Sequence, residues 1–278
     1  MKNIKEALRK GEVVWGIGIF SSSPVNVEIS GYLGYDFVFI DSEHSSQGPY
    51  GNDMVNLIRA AYAADTVPIC RVVKNDAAQI KKILDFGAKG IIAPLIKDKG
   101  DAQKLVEACL FPPKGIRGGC PEVRAFNYGV MSGWSDFMDK SNSEVMIIPL
   151  IETKDAIENL EDILSVEGIT AVFPGPFDLA INLGILTKDN TNSYEISDIV
   201  KDVMANPKIL KHMEYIFETC KKCNVPILSI ARSPEMALEM VKKGIHMIEF
   251  PCDTATFRNM AKQYLDKARH GLKSLNLR

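Results

Sequence analysis

The amino-acid sequence predicts one α/β domain with the (β/α)8 (TIM) barrel fold. Eight short apolar runs have the character of strands, amphipathic segments lie between them, and the 278 residues come close to the length of about 250 that is usual for this fold. Alternation of strand and helix eight times favours a barrel over a doubly wound parallel sheet, which stays open as the alternative. No linker or internal repeat divides the chain, so residues 1–278 are predicted to form a single domain.

The eight predicted strands are nearly continuous in Val, Ile, Leu and Phe. Parallel strands that are covered on both faces have this composition, whereas strands with one wet face alternate between apolar and polar residues. The strands are expected at residues 13–20, 36–41, 67–73, 89–95, 145–151, 169–174, 225–230 and 245–250.

Amphipathic segments with suitable end residues predict the helices between these strands. Within residues 77–87, the isoleucine and leucine side chains share one helical stripe, and Gly87 suits the C-terminal stop. Ser233 and Pro234 are residue types that cap and begin a helix, and this helix is expected to end near Gly244.

Two segments are longer than a minimal connection between strands: residues 97–143 and 181–224. The first contains Pro- and Gly-rich sequence at 111–120, and the second contains a polar stretch with Asn and Thr. Long structured loops commonly act as lids or subunit contacts, so these segments are expected over the mouth of the barrel.

Composition and charge favour an enzyme that acts on small molecules. The net charge is −2 and the basic residues are spread along the chain, so no binding of nucleic acid is expected. No apolar stretch is long enough to predict a membrane span, and no signal peptide is evident. Six cysteines without the dense spacing of a secreted scaffold indicate free thiols, so a cytoplasmic location is expected.

Ionisable residues stand at or just after the ends of four predicted strands: His44, Arg71, Glu152 and Asp178. In a parallel barrel the carboxyl ends of all strands lie on one face, so these side chains can converge. Glu152 and Asp178 belong to neighbouring strands, and two carboxylates suit a hard divalent cation that keeps several waters. The alternative is that each acid only caps the helix that follows it.

Arg71 and His44 have side chains suited to electrostatic and acid–base chemistry. Arg71 could hold a carboxylate or offset negative charge on an enolate oxygen, and a structural ion pair with Asp41 or Glu43 is the alternative. His44 is a candidate general base because the pKa of an unperturbed histidine lies near neutrality. Asp85, on the helix after the third strand, could orient the imidazole or could simply lie on the helix surface.

Several short motifs together resemble the hydroxyoxoheptanedioate aldolase (HpcH/HpaI) family, over about residues 12 to 260. The motifs are Ile40-Asp41-Ser42-Glu43-His44, Arg71, Leu84-Asp85-Phe86-Gly87, Phe111-Pro112-Pro113-Lys114-Gly115-Ile116-Arg117-Gly118, Ile151-Glu152-Thr153 and Gly175-Pro176-Phe177-Asp178-Leu179. The resemblance implies a barrel whose last helix is swapped between subunits, a homohexamer of paired trimers, and a divalent metal (Mg, Mn or Co).

The resemblance also implies a class II aldol reaction, in which the enolate of pyruvate adds reversibly to an aldehyde. Glu152 and Asp178 would then ligate the metal, and Arg71 would hold the enolate oxygen. These roles agree with the residue types, because a cation and an arginine both stabilise charge that develops on oxygen.

Two further roles come from the same resemblance. His44 with Asp85 would form a dyad that acts as the base. The backbone amides of Phe177 and Asp178 would bind the carboxylate of pyruvate. The expected partners are therefore a small keto acid and an aldehyde.

Three positions differ from many relatives, because Leu150 stands in place of Gln, Ser42 in place of Gly and Phe177 in place of Ala. Three other functions are weighed against the aldolase. A lyase of the citrate lyase β-subunit type would need a phosphate-binding loop for CoA, and none is evident after the last two strands. A Schiff-base aldolase would need a lysine inside a strand, and the candidates lie outside. A non-catalytic protein that binds keto acids stays open.

Overall fold

The computed structural model describes residues 1–46, 48, 50–186 and 196–274. Eight strands are present, and each falls inside its predicted range. The strands are β1 (Val14–Ile19), β2 (Phe37–Asp41), β3 (Val67–Arg71), β4 (Gly90–Ala93), β5 (Met146–Ile151), β6 (Phe173–Pro174), β7 (Leu228–Ile230) and β8 (Met247–Phe250).

The strands form one parallel sheet in the order β6-β5-β4-β3-β2-β1-β8-β7. A parallel bridge between Val172 and Ile227 joins the segments that lead into β6 and β7, so the two ends of the sheet meet. A doubly wound sheet would stay open at both ends. The predicted (β/α)8 barrel is therefore confirmed, and the alternative fold is wrong.

Helices occupy the connections between the strands. They are α1 (Ile4–Arg9), α2 (Pro24–Tyr32), α3 (Asn52–Ala63), α4 (Ala77–Asp85), α5 (Lys99–Cys109), α6 (Trp134–Glu144), α7 (Lys154–Glu158), α8 (Leu160–Leu164), α9 (Pro176–Asn182), α10 (Ile196–Ala205), α11 (Pro207–Lys222), α12 (Pro234–Lys242) and α13 (Asp253–Ser274), with a 3₁₀ helix at Arg124–Gly129. The two helices predicted in detail are confirmed. Gly87 follows α4 with a φ of 101°, and the Ser233 hydroxyl accepts a hydrogen bond from the Met236 amide in α12.

Side chains of the strands alternate between two cores. On β2, Phe37 and Phe39 pack inside the barrel, whereas Val38 and Ile40 pack outward against the helices. Because strand side chains alternate with a period of two, the next inward position is Asp41. Helix α1 packs against the inner core and covers the amino-terminal end of the barrel, so the opposite end is the open mouth.

The long segment 97–143 was expected to lie over this mouth, but the structure places its loop elsewhere. Its Pro- and Gly-rich loop follows α5 and contacts the end of α4, where Arg117 bonds to Asp85 and Arg124 bonds to the carbonyl oxygen of Phe86. A helix that follows a strand runs back to the amino-terminal end of the barrel, so the loop after that helix emerges there. In one chain, this loop therefore lies opposite the mouth.

The second long segment contains α10 and α11, and its polar stretch falls within residues 187–195, outside the described residues. Helix α13, which follows β8, leaves nearly all its side chains exposed, including the apolar Phe257, Tyr264 and Leu265. None of the helices in the described part of the chain is both long and apolar enough to cross a membrane.

Candidate active site

Asp41 organises the carboxyl ends of β2 and β3. Its side chain is fully buried. Oδ1 accepts hydrogen bonds from Nε of Arg71 at 2.6 Å and from the Glu43 amide at 3.1 Å, and Oδ2 accepts one from the His44 amide at 2.9 Å. One carboxylate therefore holds both the arginine and the loop that carries Glu43 and His44.

Arg71 is buried and held from several sides. Its Nη1 lies 3.0 Å from Oε2 of Glu43, and its guanidinium carbon lies 5.4 Å from the centroid of the Phe39 ring. The amide and the hydroxyl of Ser42 both donate to the Arg71 carbonyl oxygen. The structural ion pairs of Arg71 with Asp41 and Glu43 are thus present. They were the alternative to a role of Arg71 in binding substrate. Nη2 makes no hydrogen bond to a described residue, which leaves it available to a substrate oxygen.

Burial and neighbouring charges shift the pKa of Glu43 and of Arg71 in opposite directions. Burial raises the pKa of Glu43, and Arg71 and His44 oppose that rise only in part. Burial by itself would lower the pKa of Arg71, but Asp41, Glu43 and Glu249 outweigh it and raise the pKa. The arginine therefore stays positively charged although it is buried.

Glu152 follows β5 and is buried against the end of β6. Its Oε1 accepts a hydrogen bond at 2.8 Å from the amide of Leu95, whose φ of 56° is uncommon for a residue other than glycine. A Cβ on Gly175 would lie 2.8 Å from the Cβ of Glu152, so the close approach of the two strand ends requires glycine there. Burial raises the pKa of Glu152 to about 7, the Leu95 amide opposes this, and Asp178 and Glu43 add to it.

Asp178 lies half-buried in the first turn of α9. Its charge raises the pKa of both Glu152 and Glu43, so the three carboxyl groups lie close enough to interact. The structure thus brings Asp178, Glu152 and Arg71 to one end of the barrel, although they are far apart in the chain.

These side chains fit a hard divalent cation. Carboxylate oxygens are the ligands that such cations prefer, and the buried Oε2 of Glu43 has no hydrogen bond to any described residue despite its contact with Arg71. Within residues 1–46, 50–186 and 196–274 there is no group of three or more His, Cys, Asp or Glu side chains arranged to hold a metal. Two carboxylates would leave coordination positions for water and substrate, as is usual for a catalytic Mg²⁺.

His44 lies at the mouth, with its side chain 59% exposed and its Nε2 3.7 Å from Oε2 of Glu43. Asp85 does not reach it. Asp85 ends α4 at the amino-terminal end of the barrel, where its Oδ1 accepts a hydrogen bond from Nη2 of Arg117 at 2.9 Å. The expected dyad is therefore not formed within one chain, because α4 carries its last residue away from the strand ends.

Two positions that depart from many relatives affect the site differently. Phe177 packs against the core between the sheet and the helices, so its ring does not fill the barrel interior. Leu150 packs inside the barrel and is 2% exposed, which makes the floor beside Glu152 apolar.

Sequence reasoning missed one buried acid, Glu249 in β8. Met247 packs in the inner core, so the period of two places Glu249 inward as well. A charged residue at an inward position of an apolar run was the available signal.

A (β/α)8 barrel whose strand ends carry an arginine, a histidine and neighbouring carboxylates has the architecture of an enzyme, since active sites of this fold lie at this face. The chain belongs to the HpcH/HpaI aldolase/citrate lyase family, whose model matches residues 16–260. The family resemblance and the prediction of an aldolase-type lyase are thereby confirmed.

Similar proteins include a named aldolase and a named citrate synthase. The 2-keto-3-deoxy-L-rhamnonate aldolase of Escherichia coli (strain K12 / DH10B) is 29% identical over 268 residues, which are 96% of this chain and 93% of that protein. The structure of citrate synthase SbnG is similar with a TM-score of 0.82 at 27% identity, over 96% of this chain and 98% of that one. An HpcH/HpaI aldolase/citrate lyase family protein from Burkholderia cenocepacia J2315 has a TM-score of 0.84 at 26% identity, over 97% and 100%.

Proposed function

We propose that this protein is a divalent-metal-dependent class II aldolase that reversibly cleaves a 4-hydroxy-2-oxo acid to pyruvate and an aldehyde. The observation that carries this proposal is the common position of Arg71, Glu152 and Asp178 at the mouth of the barrel. Cleavage leaves the electron pair of the broken bond on pyruvate as an enolate, so the site must stabilise a negative oxygen. The Escherichia coli relative is named as an aldolase of a 2-keto acid, which agrees with this substrate class.

Several polar groups at the mouth have a part in this reaction. Glu152 and Asp178 would hold the metal (Mg, Mn or Co), and the bound metal would supply positive charge that stabilises the keto oxygen. Arg71 donates a hydrogen bond from Nη2 to the oxygen on which negative charge develops. The amides of Phe177 and Asp178, at the start of α9, bind the carboxylate of the keto acid.

His44 acts as the general base. It takes the proton of the 4-hydroxyl group as the carbon–carbon bond breaks, and it then passes a proton to the methylene carbon of the enolate, which gives pyruvate. The synthetic direction runs both transfers in reverse. Because Asp85 lies at the other end of its own barrel, we place the dyad between chains, with Asp85 of one subunit next to His44 of another.

Exposed apolar side chains support an assembly of subunits. Rows of such residues on α2 and on α13 are typical of surfaces that bind a protein. They are Val25, Ile29 and Tyr32 on α2, and Phe257, Met260, Tyr264 and Leu265 on α13. A homohexamer in which α13 packs on a neighbouring barrel would cover both rows.

Mixed oligomers of two inactive variants test the dyad between chains. His44→Ala and Asp85→Asn should each have little activity alone, because each breaks every dyad. Co-expressed with different tags and purified as mixed oligomers, they should regain part of the wild-type activity, because an intact His44 can meet an intact Asp85 of another subunit. Thermal unfolding of each variant checks that Asp85→Asn, which weakens the pair with Arg117, still folds. Mixed oligomers as inactive as their parents would contradict this placement.

The proposed reaction is tested with pyruvate, a panel of small aldehydes and Mn²⁺. We expect new carbon–carbon bonds in the products, and exchange of the methyl protons of pyruvate with deuterated water. Bound cation and keto acid without exchange or product would instead indicate the non-catalytic binding protein.

Two further outcomes separate the remaining alternatives. Calorimetric binding of acetyl-CoA would favour a lyase of the citrate lyase β-subunit type. Covalent trapping of pyruvate by borohydride would favour a Schiff-base aldolase, because only an imine is reduced to a stable adduct. We expect neither result.

The proposed location is the cytoplasm. None of the six cysteines takes part in a disulfide, and Cys70, Cys109 and Cys220 are buried in the core. Free thiols of this kind are usual in a reducing compartment, which supports the proposal.

A further inference from the structure

Glu249 is a buried carboxyl group that has no part in the aldol chemistry described above. It lies in β8 at an inward position and is 2% exposed. Its Oε2 is buried and makes no hydrogen bond to any residue that the structure describes. A buried polar atom without a partner costs free energy, so it requires an explanation.

A glycine on the neighbouring strand makes room for this carboxyl group. A Cβ on Gly18 of β1 would lie 2.7 Å from Oε1 of Glu249 and 2.9 Å from the Cβ of Cys252. Any larger residue at this position would displace one of them. The absence of a side chain on Gly18 therefore allows a carboxyl group to lie inside the barrel.

Three acids share one cation in this part of the barrel. Arg71 pairs with Asp41 and Glu43, and Glu249 acts electrostatically on both Arg71 and Asp41. Burial raises the pKa of Glu249 to about 8, Arg71 opposes this, and Asp41 adds to it. Burial thus favours the neutral form of Glu249, and its ionisation would place a third negative charge near a single positive one.

We propose that Glu249 is a positioning residue that controls where Arg71 lies. The neutral carboxyl group leaves Arg71 at the mouth with Asp41 and Glu43, and the carboxylate draws the guanidinium into the barrel, away from the substrate oxygen. A buried carboxylate without hydrogen bonds is costly unless it is paired, and Arg71 is the cation that acts on Glu249, so Arg71 moves once Glu249 has lost its proton to solvent. This inference rests on the proposed role of Arg71 in holding that oxygen.

Other ionisable groups on the elements around Glu249 must be separated from it. They are Asp41, Glu43, Arg71, Arg232, Cys252 and Asp253. Burial would raise the pKa of Asp253, but its hydrogen bonds from Ser21, Asn26 and two backbone amides lower it, so this acid stays ionised. Cys252 is a thiol beside the same glycine and receives its own control variant.

The pH dependence of kcat/KM tests the proposal in the wild type and in two variants. Wild-type activity should fall about tenfold for each pH unit above the pKa of Glu249, as expected when one protonated group is essential. Glu249→Gln keeps the shape of the side chain but does not titrate, so its activity should match the wild type near neutrality and stay level. Cys252→Ser should keep the wild-type fall. The proposal is overturned if Glu249→Gln shows the same alkaline fall, or if Cys252→Ser loses it.

Crystal structures of the wild-type protein, well below and well above the pKa of Glu249, give a second test that needs neither a variant nor activity. At high pH we expect the guanidinium of Arg71 within hydrogen-bond distance of Oε2 of Glu249. The same position of Arg71 in both structures would overturn the proposal. Failure of the proposed aldolase function would give a different result from failure of this proposal. No aldol product would then form at any pH, but Arg71 would still move between the two structures.

Discussion

Replacing Glu152 with glutamine is expected to abolish Mn²⁺ binding and, with it, aldol activity. The amide removes the negative charge that the cation requires, while its Oε1 can still accept the hydrogen bond from Leu95, so the fold should persist. The loss of affinity should exceed the roughly 10–100-fold that changes outside the ligand shell usually cost. Isothermal titration calorimetry with Mn²⁺ measures this affinity directly.

Glu158→Gln is the matched control for this variant. Glu158 lies in α7, is 60% exposed and pairs with Lys154 at the surface, so it should bind Mn²⁺ like the wild type. His44→Ala should also bind Mn²⁺ normally and lose mainly proton transfer. Unchanged Mn²⁺ affinity in Glu152→Gln would mean that the cation binds elsewhere.

The second large effect is expected at Arg71. Lysine keeps the positive charge, but it cannot pair with Asp41 and Glu43 and also present a nitrogen to the substrate. We expect Arg71→Lys to lower kcat by about 10²–10³-fold, the usual cost of losing one donor to a developing oxyanion. Mn²⁺ affinity should be nearly unchanged, because Arg71 is not a ligand. Steady-state kinetics at saturating Mn²⁺ provide the measurement.

Arg59→Lys is the control for this second variant. Arg59 lies on α3, where its contacts with Asn56 and Tyr128 are exposed, so kcat should not change. We choose Arg71→Lys rather than Arg71→Ala as the test variant. Alanine would leave buried acids unpaired and destabilise the protein by about 3–5 kcal/mol. Activity of Arg71→Lys close to that of the wild type would remove Arg71 from the proposed chemistry.

The strand ends were predictable because two local signals coincide there. An apolar run that stops at a charged residue marks the carboxyl end of a buried strand, as at Arg71 and Glu152. The parallel barrel then places all such ends on one face. Local sequence together with the barrel fold was sufficient to predict that these two side chains lie at the same end of the barrel.

The position of Asp85 was also within reach of sequence reasoning, but motif resemblance obscured it. A residue at the end of the helix that follows a strand must lie at the opposite end of the barrel from that strand's carboxyl end. The order of elements therefore separates Asp85 from His44 in one chain. The order of elements does not indicate contacts between subunits. The sequence therefore could not predict which residue of another subunit would lie next to His44.

Two features of the site depend on distances that no sequence pattern contains. The hydrogen bond from Leu95 to Glu152 joins the loop after β4 to the end of β5, and it requires a positive φ at a leucine. The carboxyl group of Glu249 needs the space above Gly18, a residue 231 positions earlier in the chain. Both arise from the pairing of neighbouring strands, β4 with β5 and β8 with β1, which brings together residues that are far apart in the chain.

The most direct test of the proposed site is a crystal structure with Mn²⁺ and pyruvate, in which anomalous scattering locates the manganese. We expect one strong anomalous peak in contact with the carboxylates of Glu152 and Asp178, and the keto oxygen of pyruvate within hydrogen-bond distance of Nη2 of Arg71. A peak at another position, or these two carboxylates turned apart with no cavity between them, would contradict the proposed function.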